Sequence, residues 1–138
     1  MNLEKAIQIA VEAHAGTKDK GGKEYILHPI SVMMRVETEE EKIVAILHDV
    51  VEDTDWTFDA LRKEGFSETV IEALETVTKY SEEENYDDFI QRSLKNDIGR
   101  KVKIADLREN LDVTRIGELY PEDIERINKY KRALQTLK

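Results

Sequence analysis

The sequence predicts an all-α fold, a single-domain bundle of about eight helices spanning residues 1–138. Three observations carry that expectation. Apolar residues recur at steps of three and four along nearly the whole chain, the period of helices that bury one face. No stretch alternates apolar and polar residues with the period of two that a half-buried strand needs. No internal repeat or low-complexity linker interrupts the pattern, and a chain of 138 residues can build one core without staples.

The first helix is expected on the stripe Leu3, Ala6, Ile7, Ala10, Val11 and His14, ending at Ala15-Gly16. Gly16 to Glu24 is polar and glycine-bearing, hence a loop. Pro29 suits the first turn of a second helix carrying Ile30, Val32, Met33, Met34 and Val36. Thr38, with Glu41 three residues later, fits a capping box. It opens a third helix through Ile43, Val44, Ile46, Leu47 and Val50, ending near Thr54-Asp55.

Thr57 caps a short fourth helix with Phe58 and Leu61, stopped at Gly65. Ser67 caps a fifth with Val70, Ile71, Leu74 and Val77 facing inward. Ser81 to Asn85 is an acidic connector, and a sixth helix follows through Tyr86, Phe89, Ile90 and Leu94. Lys101 to Ile116 reads as a long seventh helix bearing Val102, Ala105 and Leu111. Pro121 starts an eighth with Ile124, Ile127, Tyr130, Leu134 and Leu137 on one stripe. That stripe offers a face for a homo-oligomer, but closing the core is the job its spacing suits better.

Composition bounds the function. The chain has no cysteine, which excludes disulfides, thiolate metal ligands and thiol nucleophiles. No apolar run approaches the roughly 20 residues that span a bilayer, and the first residues lack the pattern of a signal peptide. A cytoplasmic protein without a membrane partner is the expectation. The formal charge of −9 argues against nucleic-acid binding, which rests on clustered Lys and Arg. It leaves room for a small phosphorylated substrate, because a divalent cation and a few local bases reverse the sign inside one pocket. Basic residues group at Lys18, Lys20 and Lys23, and again at Arg100, Lys101 and Lys103.

The chemistry concentrates in His48-Asp49-Val50-Val51-Glu52-Asp53, with His28-Pro29 upstream and an isolated Asp106 downstream. An adjacent His-Asp pair inside an apolar helical run puts an imidazole and a carboxylate where core residues belong. If the helix continues, His48 and Glu52 share a face, as do Asp49 and Asp53. Either a metal sits there or the fold carries a large unpaired charge, and the metal is the better reading. His28, His48, Asp49 and Asp106 make a mixed nitrogen and oxygen ligand set suited to Mn²⁺, Fe²⁺, Zn²⁺ or Co²⁺. Glu52 and Asp53, one turn on, are placed to orient a metal-activated water or carry its proton. The plainer alternatives are a hydrogen-bonded His48-Asp49 pair without metal and, for Glu52-Asp53, a solvated helix end. His14, on the apolar stripe of the first helix, reads as a satisfied core histidine.

The order His28-Pro29, His48-Asp49, Glu52-Asp53 and Asp106 resembles the HD-domain metal-dependent phosphohydrolases. It is most similar to the hydrolase domains of the Rel/Spo alarmone enzymes and to the small stand-alone alarmone hydrolases. Three segments carry the likeness: AHAGTKDKGGKEYILHP at 13–29, AILHDVVEDT at 45–54 and KVKIADLRENLD at 101–112. The resemblance implies one divalent metal, usually manganese, on His28, His48, Asp49 and Asp106, with Glu52 and Asp53 activating water. It implies that Asn110 contacts the nucleotide and that Lys20 is a basic residue of the substrate loop, and Arg108 is a further candidate for the phosphate end. The implied reaction removes pyrophosphate from the 3′ position of guanosine tetra- or pentaphosphate. Two departures stand out. Asp19 occupies the place of an arginine that stacks on guanine, and Leu107-Arg108-Glu109-Asn110 replaces the usual Arg-Leu-His-Asn. The implied function is thus a phosphohydrolase of (p)ppGpp or a related small nucleotide. Alternatives are another nucleotide phosphohydrolase or a non-catalytic nucleotide-sensing module of the same fold.

Overall fold

The structure is a computed structural model that describes residues 2–114 and 116–138. Among the described residues there are nine α-helices: α1 (Leu3–Ala13), α2 (Leu27–Met33), α3 (Glu39–Leu47), α4 (Val50–Asp53), α5 (Phe58–Lys63), α6 (Glu68–Thr76), α7 (Tyr86–Leu94), α8 (Asp97–Asn110) and α9 (Pro121–Leu137). The extra helix arises because the expected third one breaks at His48-Asp49. The backbone N–H of His48 turns back to the Ala45 carbonyl (3.4 Å), and the ring Nδ1 approaches the same oxygen (2.6 Å). With that acceptor shared, the chain makes one tight turn before α4 resumes. No strand occurs among the described residues, only an isolated antiparallel bridge between Lys18 and Glu24.

Local chemistry sets the helix starts. The Thr38 hydroxyl accepts from Glu41 N, and the Glu41 carboxylate returns the bond to Thr38 N, completing the capping box. Thr57 caps Ala60 N, Ser67 caps Val70 N, and Asn96 caps Gly99 N. Gly65, with φ of 99°, supplies the left-handed turn that stops α5.

The centre of the bundle is α3, packed against α1, α2, α6 and α8. Ile43, Val44, Ala45, Ile46 and Leu47 are all fully buried, so the C-terminal half of this helix is apolar on every side and neighbours must cover it. Each fully buried aliphatic side chain there contributes about 1.5–3 kcal/mol. Elsewhere the stripes shift by a residue or two. Ile9 is buried while Val11 is 46% exposed, and on α9 Ala133 and Leu137 are buried while Ile124 is 49% exposed. Leu137 joins Ile90 and Leu107 in a second apolar cluster between α7, α8 and α9, so α9 closes the core.

The expected seventh helix, Lys101 to Ile116, instead runs from Asp97 to Asn110. Asn96 caps that earlier start, and Gly99 lets it pack. A Cβ there would lie 2.0 Å from the Thr76 hydroxyl, so the missing side chain lets α8 press against the end of α6. That tertiary contact outweighs the low helix propensity of glycine.

Candidate metal centre

The break between α3 and α4 turns His48 and Asp49 into the bundle. A carbonyl only accepts, so His48 Nδ1 donates to Ala45 O and the ring presents Nε2 to the interior. That Nε2 is buried and has no hydrogen-bond partner, although Asp49 Oδ2 lies 3.1 Å and Asp106 Oδ1 3.4 Å away. Burial disfavours the charged ring, but Asp49 and then Asp106 outweigh it and hold His48 well above the usual imidazole range.

His28, in the first turn of α2, places Nε2 2.9 Å from Asp106 Oδ1. Asp106, 6% exposed on α8, also accepts from Lys103 Nζ (3.0 Å) and Asn110 Nδ2 (3.3 Å). Burial opposes its ionisation, yet Lys103, followed by His28 and His48, keeps the carboxyl well below the ordinary range. Asp49 accepts the Tyr25 hydroxyl and is lowered to about 2, burial being overcome by His48. Ligand atoms of His28, His48 and Asp49 lie within 4.8 Å of one another, and Asp106 closes the group from the opposite helix.

Glu52 and Asp53 follow in α4. Glu52 accepts from Lys79 N (2.9 Å) and separates two cavities. A small one of about 140 Å³ opens onto His48, Asp49 and Asp106, and a larger one of about 770 Å³ adjoins Asp53, Phe58 and Tyr80. Burial, then the charges of Asp49 and Glu52, push the Asp53 carboxyl up to about 6. The expected alignment of His48 with Glu52 on one wall holds despite the helix break, while Asp53 faces the neighbouring cavity.

Other sequence expectations fare differently. Asn110 reaches the centre through Asp106. Arg108 is exposed on α8, Lys20 is exposed on the loop after α1, and neither lines either of these two cavities. Of the two basic groups only Lys103 arrives at the site. Lys18 pairs with Glu24, and Lys101 with Asp97 and Glu41. Asp19 turns back on its own loop, its Oδ1 accepting from Gly21 N (2.8 Å) and Lys23 N (2.9 Å). His14 is buried, but its Nε2 has no partner, so it is not the satisfied core histidine expected. Burial lowers its pKa, and its ring lies 5.0 Å from that of Tyr25.

The sequence reading missed Tyr25, which donates to Asp49, and Lys79 and Lys129, which line the small cavity. Tyr25 carried a signal, three residues before His28 and so one turn away. Lys79 and Lys129 are single lysines in charged stretches and carried none.

Two imidazoles and two carboxylates without sulfur suit a hard to borderline divalent ion. A buried imidazole nitrogen with no hydrogen bond, its other nitrogen fixed by a carbonyl, is what such a ligand requires. The residues therefore fit a metal.

Comparison with known proteins agrees. A guanosine-3′,5′-bis(diphosphate) 3′-pyrophosphohydrolase of Aquifex aeolicus is 34% identical over 120 residues, covering 79% of this chain and 17% of that protein. A chloroplastic putative GTP diphosphokinase of Arabidopsis thaliana is 40% identical over 84 residues, covering 57% of this chain and 9% of that protein. The chain thus spans less than a fifth of each. A solved structure of a metazoan SpoT ortholog, described as hydrolysing ppGpp, shares the fold with a TM-score of 0.79 at 23% identity, over 98% of this chain and 84% of that one. The model of the HD domain matches residues 6–111, a span that contains His28, His48, Asp49, Glu52, Asp53 and Asp106, and the chain belongs to the HD-domain family.

Proposed function

We propose that this chain is a metal-dependent phosphohydrolase that removes the 3′-pyrophosphate of (p)ppGpp or a related small nucleotide. The observation that carries the reading is the buried, unpaired His48 Nε2 set among Asp49, Asp106 and His28, one turn from Glu52 and Asp53. His28, His48, Asp49 and Asp106 would hold one divalent ion, with Mn²⁺ our assignment. Such an ion lowers the pKa of bound water and polarises a phosphoryl oxygen. Glu52, fixed by the Lys79 amide, would orient the attacking water at the cavity wall, and Asp53, next in the chain but facing the neighbouring cavity, would take the proton on from Glu52. Asn110, which donates to Asp106, would contact the nucleotide, and Lys20 and Arg108, exposed cations that line neither cavity, would draw in the phosphate end from solvent. The names of the Aquifex and metazoan relatives support the choice of alarmone. The reading places the protein in the cytoplasm, with neither nucleic acid nor membrane as partner.

A second substrate, a small nucleotide with another base, is favoured by Asp19. Its carboxylate is engaged with loop amides where a planar cation would stack on guanine. The test is hydrolysis of a panel of guanosine and adenosine 3′-diphosphates with Mn²⁺ added, following pyrophosphate release. Release that disappears on chelation and in Glu52→Gln is the expected result. Tight nucleotide binding without release would replace the enzyme by a sensing module.

A further inference from the structure

We propose that Lys79, Lys103 and Lys129 form an anion subsite beside the metal centre that holds the second phosphate of a diphosphate group, Lys129 distinguishing a diphosphate from a monophosphate ester. The inference rests on the phosphohydrolase reading above and names what that site selects. The three lysines come from separate segments: the α6–α7 connector, α8 and α9. All three line the small cavity that also exposes His48, Asp49 and Asp106.

In a chain with 30 acidic and 21 basic residues, a cation is expected to find a carboxylate. Lys103 does, in Asp106. Among the described residues neither Lys79 nor Lys129 has an ion-pair partner. The Lys129 ammonium lies over two aromatic faces instead, 4.6 Å from the Tyr86 ring centre and 5.6 Å from that of Tyr130. Those faces position the charge without neutralising it. Tyr86 Oη, on the same cavity, is shielded from solvent and has no hydrogen-bond partner. Burial first, then the neighbouring charges of Lys79, Lys103 and Arg126, push Lys129 below the usual ammonium range, with Glu125 opposing.

An anion placed among these groups relieves the repulsion and gives Tyr86 an acceptor. The opposite wall divides the work. Asp49, Asp106 and Glu52 repel a phosphate unless a cation stands between, so one phosphate belongs at the metal and the next at the lysines. The volume of about 140 Å³ corresponds to a few waters at about 30 Å³ each, room for a phosphate group but not a nucleic-acid backbone. α9, which carries Lys129, lies outside the 6–111 span matched by the HD-domain model.

The test compares inorganic pyrophosphate with inorganic phosphate by titration calorimetry, Mn²⁺ held in excess, on wild type, Lys129→Gln and Lys129→Arg. Wild type is expected to prefer pyrophosphate. Losing one charge-assisted contact lowers that preference about tenfold or more in Lys129→Gln, with phosphate binding unchanged and Lys129→Arg retaining it. Equal weakening of both anions, or of neither, overturns the subsite. Should Lys129→Gln not fold, Lys79→Gln carries the same comparison. If wild type hydrolyses no nucleotide yet shows the Lys129-dependent preference, the phosphohydrolase reading falls and the subsite stands. If it hydrolyses nucleotides and Lys129→Gln leaves the 3′-diphosphate to 3′-monophosphate ratio of kcat/KM unchanged, the subsite falls alone.

Discussion

Asp106→Asn changes one charge and almost no volume, which makes it the sharpest probe of the centre. The carboxylate neutralises Lys103 at 3.0 Å, where the lysine side chain is 12% exposed and the aspartate 8%. An amide leaves that ammonium buried without its partner, and breaking a buried pair from one side costs about 3–5 kcal/mol. At an unfolding entropy of roughly 2.1 cal/mol/K per residue, a chain of 138 residues loses about 10–17 °C of Tm. The sign with pH follows from Asp106 being held below its ordinary value. The stabilisation is complete above the unfolded pKa of roughly 4 and disappears as pH falls through the folded value, so wild type and variant converge only in acid. The assay is thermal melting by circular dichroism of chelator-treated protein at pH 7. Lys103→Met combined with Asp106→Asn should recover part of the loss, because no unpaired charge then remains. In a second arm, metal at 100 times its Kd stabilises wild type by about 2.7 kcal/mol, or roughly 9 °C on the same scale, and Asp106→Asn abolishes the shift. A variant that melts with wild type and keeps the metal shift refutes both the pair and the ligand assignment.

Four further outcomes follow from the geometry. Glu52→Gln should retain metal by elemental analysis while turnover falls by about 10²–10⁴-fold, and loss of the metal would place Glu52 among the ligands instead. Tyr25→Phe, which removes the hydroxyl held by Asp49, should weaken Mn²⁺ affinity about 10–100-fold by calorimetry with the fold intact, and unchanged affinity would reduce Tyr25 to packing. Since Asp53 is pushed up to about 6, it accepts a proton only above that value. A divalent ion near Asp49 pulls it down, so the rate should fall on an acidic limb at or below about pH 6 that Asp53→Asn flattens. Asp19→Arg adds a guanine-stacking cation worth about 1 kcal/mol, roughly a fivefold gain in guanosine preference, less whatever the loop loses with its Gly21 and Lys23 caps. A wild-type preference for guanosine of about a hundredfold or more would show that another residue reads the base.

The sequence by itself determined the helical fold, most of the helix starts and the chemistry of the donor set. Thr38 with Glu41, Thr57, Ser67 and Pro121 each act within one turn of themselves, so their effect is legible at fixed spacing. His48-Asp49 was legible for a different reason, since two polar groups inside a run as apolar as Ile43–Leu47 demand a partner. The donor set His28, His48, Asp49 and Asp106 could be named from the sequence, but which of its members touch was decided by the tertiary structure. His28 meets Asp106 across 78 positions of chain, and no local period encodes such a distance. The same holds for the packing of α8, whose first turn is capped by Asn96 but lies against α6 only because Gly99 clears Thr76. It holds for Asp19, which stands in the place of a guanine-stacking arginine and caps its own loop, and for His14, whose lack of a partner appears only once its neighbours are in place. Lys79 and Lys129 make the contrast plainest. Side-chain period and capping are short-range hydrogen-bond and packing effects written along the chain. The partner of a charge depends on what burial brings near it, which only the assembled bundle settles.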